Sequence, residues 1–213
     1  MSTTHRFETL LGDVPVIPVL VIERAADAVP IARALVDGGL TVLEVTLRTP
    51  AALDAVAAIA RALPDAIVGV GSAIDAPQFA AAAAAGARFA VSPGATPELE
   101  AAAHEAGLTW LPGAQTASEV LALRARGHRL LKFFPAQSSG GVGFLRSIAG
   151  PVPDVKFCPT GGVSPDNARD YLALGNVACV GGSWLTPPAA VSAARWDEIR
   201  ALARQARGLR AAA

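Results

Sequence analysis

Gly38-Gly39-Leu40-Thr41-Val42-Leu43-Glu44-Val45-Thr46-Leu47-Arg48-Thr49-Pro50 holds one complete unit of the chain's architecture. The glycine pair ends the Ala/Leu-rich stretch Ala25–Asp37, as glycines end helices. Thr41–Leu47 is an apolar, β-branched run of strand length. Thr49 followed by Pro50 reads as an N-cap with proline in the first helical turn, opening a second helical stretch at Pro50–Ala62.

The same punctuation recurs along the chain. Gly86, Gly107, Gly127 and Gly175 each follow a helical stretch and precede a strand, while Asp75-Ala76-Pro77, Thr96-Pro97 and Ser164-Pro165 read as further caps. The expected strands are Val16–Ile22, Thr41–Leu47, Ala66–Gly71, Arg88–Ser92, Thr109–Pro112, Leu130–Phe134, Val155–Pro159 and Val177–Gly181. The expected helices between them are Ala25–Asp37, Pro50–Ala62, Ala76–Ala85, Pro97–Glu105, Ala117–Arg126, Gly141–Ala149 and Pro165–Leu174, with a last one at Trp196–Gly208. Eight β units each followed by a helix predict an α/β fold, a (β/α)8 TIM barrel. It would span 1–213 as a single domain, with a short N-terminal helix near Arg6–Leu11. Such barrels run from ~200 residues upward, so no room remains for a second domain. A doubly wound open sheet is the rival; the number and even spacing of the strands favour closure.

Bulk composition narrows the function classes. The 213 residues are 52% hydrophobic, enough for a sizeable core, and 18 basic residues balance 18 acidic ones. No block of like charge supports binding to nucleic acid or an anionic membrane. No apolar run reaches the ~20 residues of a membrane helix, and Met1–Thr9 lacks a signal-peptide core. Cys158 and Cys179 fall inside expected strands, which fits core packing and a reducing cytoplasm better than a disulfide framework. His5, His104 and His128 are scattered without metal-ligand spacing, so no metal site is expected.

Lysine is scarce: two lysines, Lys132 and Lys156, stand against sixteen arginines. Lys132 lies in the apolar run Leu130-Leu131-Lys132-Phe133-Phe134-Pro135. A buried amine tends to shed its proton, and a neutral amine attacks carbonyls. Lys132 comes late in the sixth expected strand, at the end where such barrels carry their active sites, and Lys156 comes early in the seventh. Lys156 therefore reads as a solvated strand-start charge. The competing reading of Lys132 is a snorkelling stem with a wet head.

Alternation along Thr41–Leu47 puts Glu44, Thr46 and Arg48 on one face. A carboxylate and a guanidinium at the mouth suggest a base and a carboxylate clamp, with a structural ion pair as the alternative. Gly69-Val70-Gly71-Ser72, Ser92-Pro93-Gly94 and Pro112-Gly113 open space with small residues. Ser72 either bonds a substrate carboxylate or caps the next helix. Thr160-Gly161-Gly162 and Gly181-Gly182-Ser183 close the last two strands, where such barrels often bind phosphate. Tight βα turns would explain the same glycines.

Together, Glu44-Val45-Thr46-Leu47-Arg48-Thr49, Gly69-Val70-Gly71-Ser72, Ser92-Pro93-Gly94, Lys132-Phe133-Phe134-Pro135-Ala136, Cys158-Pro159-Thr160-Gly161-Gly162 and Gly181-Gly182-Ser183-Trp184-Leu185 resemble one family. It is that of the class I aldolases for 2-keto-3-deoxy-6-phosphogluconate (KDPG), which also act on 4-hydroxy-2-oxoglutarate. The resemblance runs from Val16 to Pro187. It implies Lys132 as the Schiff-base lysine, Glu44 as the general acid/base and Arg48 as the pyruvate-carboxylate clamp. It places Ser72, Pro93, Phe134 and Thr160 around the substrate, and Gly161, Gly162, Gly182 and Ser183 on its phosphate. Thr160 fits the gluconate-type rather than the galactonate-type enzymes. Ser72 departs from the family's usual Thr, keeping the hydroxyl and losing a methyl. The resemblance further implies a homotrimer, a small-molecule substrate, and no metal or organic cofactor. The rivals are an aldolase for the galactonate epimer, a phosphosugar isomerase or synthase, a metal-dependent aldolase, and a non-catalytic phosphometabolite-binding barrel.

Overall fold

The structure, a computed structural model, describes residues 3–210. Its strands are β1 (Val16–Leu20), β2 (Val42–Thr46), β3 (Ile67–Gly71), β4 (Phe89–Val91), β5 (Thr109–Leu111), β6 (Gly113–Ala114), β7 (Leu130–Phe133), β8 (Lys156–Pro159) and β9 (Val180–Gly182). The helices are α1 (Thr3–Leu11), α2 (Ala25–Asp37), α3 (Ala52–Ala62), α4 (Ala76–Ala84), α5 (Pro97–Glu105), α6 (Ala117–Ala125), α7 (Gly141–Ile148), α8 (Ala168–Leu172), α9 (Pro188–Ser192) and α10 (Trp196–Arg207). Every strand pair is parallel. Parallel sheets are covered on both faces, and all residues of β2 and β7 are accordingly buried.

The ladder falls into two arcs, β5-β4-β3-β2-β1-β9 and β6-β7-β8. The expected strand Thr109–Pro112 is divided, because Pro112 has no N–H to continue a ladder. Its carbonyl still accepts from the Lys132 amide at 2.8 Å. Isolated bridges Phe157–Val177 and Thr160–Gly181 link β8 to the β9 segment. The last strand begins at Val180 rather than Val177, since Val177 meets β8 only through one of those bridges.

Register decides what faces inward. Residues paired across parallel strands point to the same side of the sheet. Glu44 pairs with Val19 and Gly69, and Lys132 with Gly113 and Cys158. These side chains share the inner face. α1 covers the strand-start end, where Phe7 meets Phe89 edge-on at 5.3 Å between ring centroids.

Caps explain most helix starts. Asp75 accepts from the Gln78 amide, Thr96 from the Leu99 amide, and Thr116 with Glu119 forms a full capping box. Two expected caps are corrected. The Thr49 hydroxyl donates to the Ile22 carbonyl at 2.5 Å, tying the loop after β2 to the one after β1, and α3 starts at Ala52 without a side-chain cap. Ser164 does not open α8, which starts after Asn167 and is shorter than the expected Pro165–Leu174. The short helix α9 lay unmarked in the Pro187-Pro188-Ala189-Ala190 run. Among the described residues, no helix is long and apolar enough to cross a membrane.

Candidate active site

Lys132 and Glu44 meet inside the sheet. β7 carries one and β2 the other, and Lys132 Nζ donates to Glu44 Oε1 at 3.3 Å. They are 4% and 2% exposed, so each offsets the desolvation of the other. The ammonium also stands 5.2 Å from the centre of the Phe134 ring, within cation–π range. Gly71, at the end of β3, leaves the space that the Glu44 carboxylate fills. Lys156 is exposed at the start of β8, 4.0 Å from Glu8 of α1. The two lysines thus sit at opposite ends of their strands.

Arg48 and Glu44 do not pair with each other. Arg48 Nε donates to Ser72 Oγ at 3.0 Å. Ser72 has φ 59°, a left-handed conformation uncommon for a residue with a side chain. Its hydroxyl serves Arg48, and Asp75 caps the helix that follows. The Ser92-Pro93-Gly94 loop is pinned by Ser92 Oγ, which accepts from Trp110 Nε1 at 3.0 Å and donates to the Gly94 carbonyl at 2.6 Å. Pro93 is thereby fixed over the close approach to Gly113, where a β-carbon would lie 2.2 Å from the Pro93 carbonyl oxygen.

After β8, buried Thr160 leads into Gly161 and Gly162, with φ 97° and 76°. Consecutive left-handed residues are glycine positions, and such turns aim backbone amides at anions. Among the described residues, the Gly162 and Val163 amides donate to no protein acceptor. Gly182 ends β9 and Ser183 follows it, and Trp184 folds its ring back onto Gly182. A groove of about 670 Å³ opens beside Ser183, lined also by Val19, Ile22, Arg24 and Thr186. Neither Lys132 nor Glu44 lines it, but Val19 is the residue paired with Glu44, so its wall starts at the same mouth.

The remaining titratable candidates are absorbed by packing. Cys158 and Cys179 are free and buried. A hydrogen bond with Cys158 and burial together push the Cys179 thiol well above its ordinary range. His128 is buried 3.0 Å from Glu100 and edge-on to Trp110. No cluster of metal-ligating side chains occurs among the described residues, and the side chain of His5 lies outside them.

Asn167, Gln137 and Tyr171 went unnoticed in the sequence. Asn167 Nδ2 donates to the Gly162 carbonyl at 3.0 Å, and the Tyr171 hydroxyl donates to Gln137 Oε1 at 3.0 Å. The run Ser164-Pro165-Asp166-Asn167 is a turn-forming signal that could have drawn attention to the first.

A parallel α/β sheet with a buried lysine–carboxylate pair on its inner face has the features of a Schiff-base lyase. Comparison with known proteins agrees. Residues 7–202 match the family model for KDPG and KHG aldolase. The chain is 53% identical over 192 residues to the 2-dehydro-3-deoxy-phosphogluconate aldolase of Pseudoalteromonas atlantica, covering 90% of this chain and 89% of that protein. It is 51% identical over 199 residues to the KHG/KDPG aldolase of Escherichia coli K12, covering 93% of each. The crystal structure of the KDPG aldolase of Legionella pneumophila, with pyruvate captured as a covalent carbinolamine, superposes with a TM-score of 0.88 at 46% identity. It covers 92% of this chain and 95% of that one. The chain belongs to the KDPG and KHG aldolase family.

Proposed function

We propose that this enzyme is a class I aldolase cleaving 2-dehydro-3-deoxy-6-phosphogluconate to pyruvate and glyceraldehyde 3-phosphate, and also cleaving 4-hydroxy-2-oxoglutarate. The observation that carries the reading is the buried Lys132–Glu44 pair, 3.3 Å apart. Glu44 takes a proton from Lys132, and the freed amine attacks the C2 ketone. Glu44 returns that proton to the carbinolamine hydroxyl, which leaves as water to give an iminium, an electron sink, and a carboxylate ready to act again. Glu44, directly or through a water, then removes the C4 hydroxyl proton. The C3–C4 bond breaks and its electron pair passes into the iminium, leaving an enamine and the free aldehyde. Protonation at C3 and hydrolysis return pyruvate and Lys132.

Arg48, steadied by Ser72, holds the substrate carboxylate, and Ser72 adds its hydroxyl. Phe134 and Pro93 wall the reacting carbons from water. Thr160 borders the sugar chain. Gly161, Gly162, Gly182 and Ser183 receive the phosphate. The chemistry needs no metal or organic cofactor.

The chain is read as one domain whose two arcs close into a (β/α)8 barrel. The bridges between β8 and the β9 segment support closure, as do the bonds that Lys132 and Phe134 amides make to the carbonyls of Pro112 and Ala114. A cytoplasmic homotrimer is the assembly that the family resemblance supports. The testing assay follows pyruvate release from the gluconate substrate and its galactonate epimer, with chelator present. Faster cleavage of the gluconate substrate is expected. Activity lost to the chelator contradicts the mechanism, and preference for the epimer contradicts the substrate.

A further inference from the structure

The two-glycine turn after β8 is held from behind by groups that the reaction itself does not use. Three successive carbonyls are tied back. That of Thr160 accepts from the Ala136 amide at 2.8 Å, that of Gly161 from the Gln137 amide at 3.0 Å, and that of Gly162 from Asn167 Nδ2 at 3.0 Å. Asn167 is itself fixed, since its Oδ1 accepts from the Ser164 amide at 2.9 Å. Gln137 packs on the turn so closely that a β-carbon on Gly162 would lie 2.5 Å from Gln137 Cβ. The Tyr171 hydroxyl holds Gln137 from the other side. Asn167 opens α8 and Tyr171 lies inside it, so one short helix carries both supports.

Ala136 and Gln137 follow the Lys132 strand after only Phe134 and Pro135. The brace therefore connects the segment that carries the amine to the turn that would carry the phosphate. With its carbonyls engaged behind, the turn has the Gly162 and Val163 amides without a protein acceptor, and Gly162 is exposed. A turn of two left-handed glycines has many alternative conformations, and a concave set of amides is only one of them.

We propose that Asn167, backed by the Gln137–Tyr171 pair, is the positioning residue of this anion turn. It sets the enzyme's preference for a phosphorylated over an unphosphorylated 2-keto acid, a conclusion that rests on the aldolase reading above. Asn167 touches no reacting atom. It acts through the Gly162 carbonyl, by fixing the peptide whose N–H faces the phosphate.

The experiment compares wild type with Asn167→Ala, Asn167→Asp and Tyr171→Phe. Two readouts are needed: kcat/KM for the phosphogluconate substrate against 4-hydroxy-2-oxoglutarate, and the affinity of the unliganded enzyme for inorganic phosphate. Losing one neutral hydrogen bond should lower the ratio of the two kcat/KM values by about three- to tenfold. The loss should appear in KM, and phosphate affinity should fall in parallel. Asn167→Asp keeps the acceptor for Ser164 but loses the donor and adds a negative charge, so its loss should be larger. An equal loss on both substrates, or an unchanged ratio and phosphate affinity, overturns the proposal. Should Asn167→Ala fail to fold, the other two variants decide it by the same ratio. A wild type that cleaves neither substrate refutes the aldolase reading, while phosphate affinity still tests the brace.

Discussion

A β-carbon on Gly71 would lie 2.0 Å from Oε1 of Glu44. The last residue of β3 therefore determines where the carboxylate of β2 can stand, and through it where Lys132 finds its partner. Gly71→Ala should displace Glu44 while leaving the lysine in place. Turnover is expected to fall by about 10²-fold, the scale of a lost general base, with pyruvate still trapped on the enzyme. Steady-state cleavage beside a trapping assay checks this; wild-type turnover would show that Glu44 has another place to go.

Glu44→Gln removes the charge and keeps the shape. Proton transfer should slow by ~10²–10⁴-fold. The buried ammonium also loses its counter-ion, a change that costs about 3–5 kcal/mol when a buried pair is broken. Chemical denaturation should therefore show a destabilised but folded enzyme. Unchanged turnover would remove Glu44 from the acid/base role.

Ser72→Ala deletes the hydroxyl that accepts from Arg48 Nε. Arg48 then swings more freely, and KM should rise by about three- to tenfold for phosphorylated and unphosphorylated substrates alike. Uniform weakening separates this residue from the phosphate turn. Ser72→Thr restores the hydroxyl but puts a β-branched side chain at φ 59°, so binding should recover while stability falls by about 1 kcal/mol. Kinetics of both variants beside their denaturation midpoints would decide; a substrate-selective effect would contradict the shared carboxylate role.

The two cysteines should be chemically silent in the native enzyme. Both are buried, and the raised Cys179 thiol forms little thiolate at neutral pH. A thiol reagent should react slowly with native protein and with both cysteines once it is unfolded. Fast native labelling would contradict the packed interior around β8 and β9.

Much of this arrangement was legible in the sequence because its causes are local. Glycine-to-strand and cap-to-helix punctuation marked nearly every element, and the apolar setting of Lys132 marked the amine. What escaped depends on contacts between distant segments. Thr49 reads as a cap until Ile22, twenty-seven residues earlier, takes its hydroxyl. Pro112 divides a strand whose neighbour lies twenty residues ahead. Ser72 could be assigned to Arg48 only once Arg48, twenty-four residues earlier, was seen to donate to its hydroxyl. Asn167 and Tyr171 acquire meaning only when α8 is set against the turn after β8.

The most direct measurement is borohydride reduction in the presence of pyruvate, followed by peptide mass mapping. The chain offers two lysines and the N-terminus to choose from. The expected result is a single adduct on Lys132, absent from Lys132→Ala and retained by Glu44→Gln. An adduct on exposed Lys156 or the N-terminus, or no pyruvate-dependent adduct at all, would contradict the Schiff-base assignment.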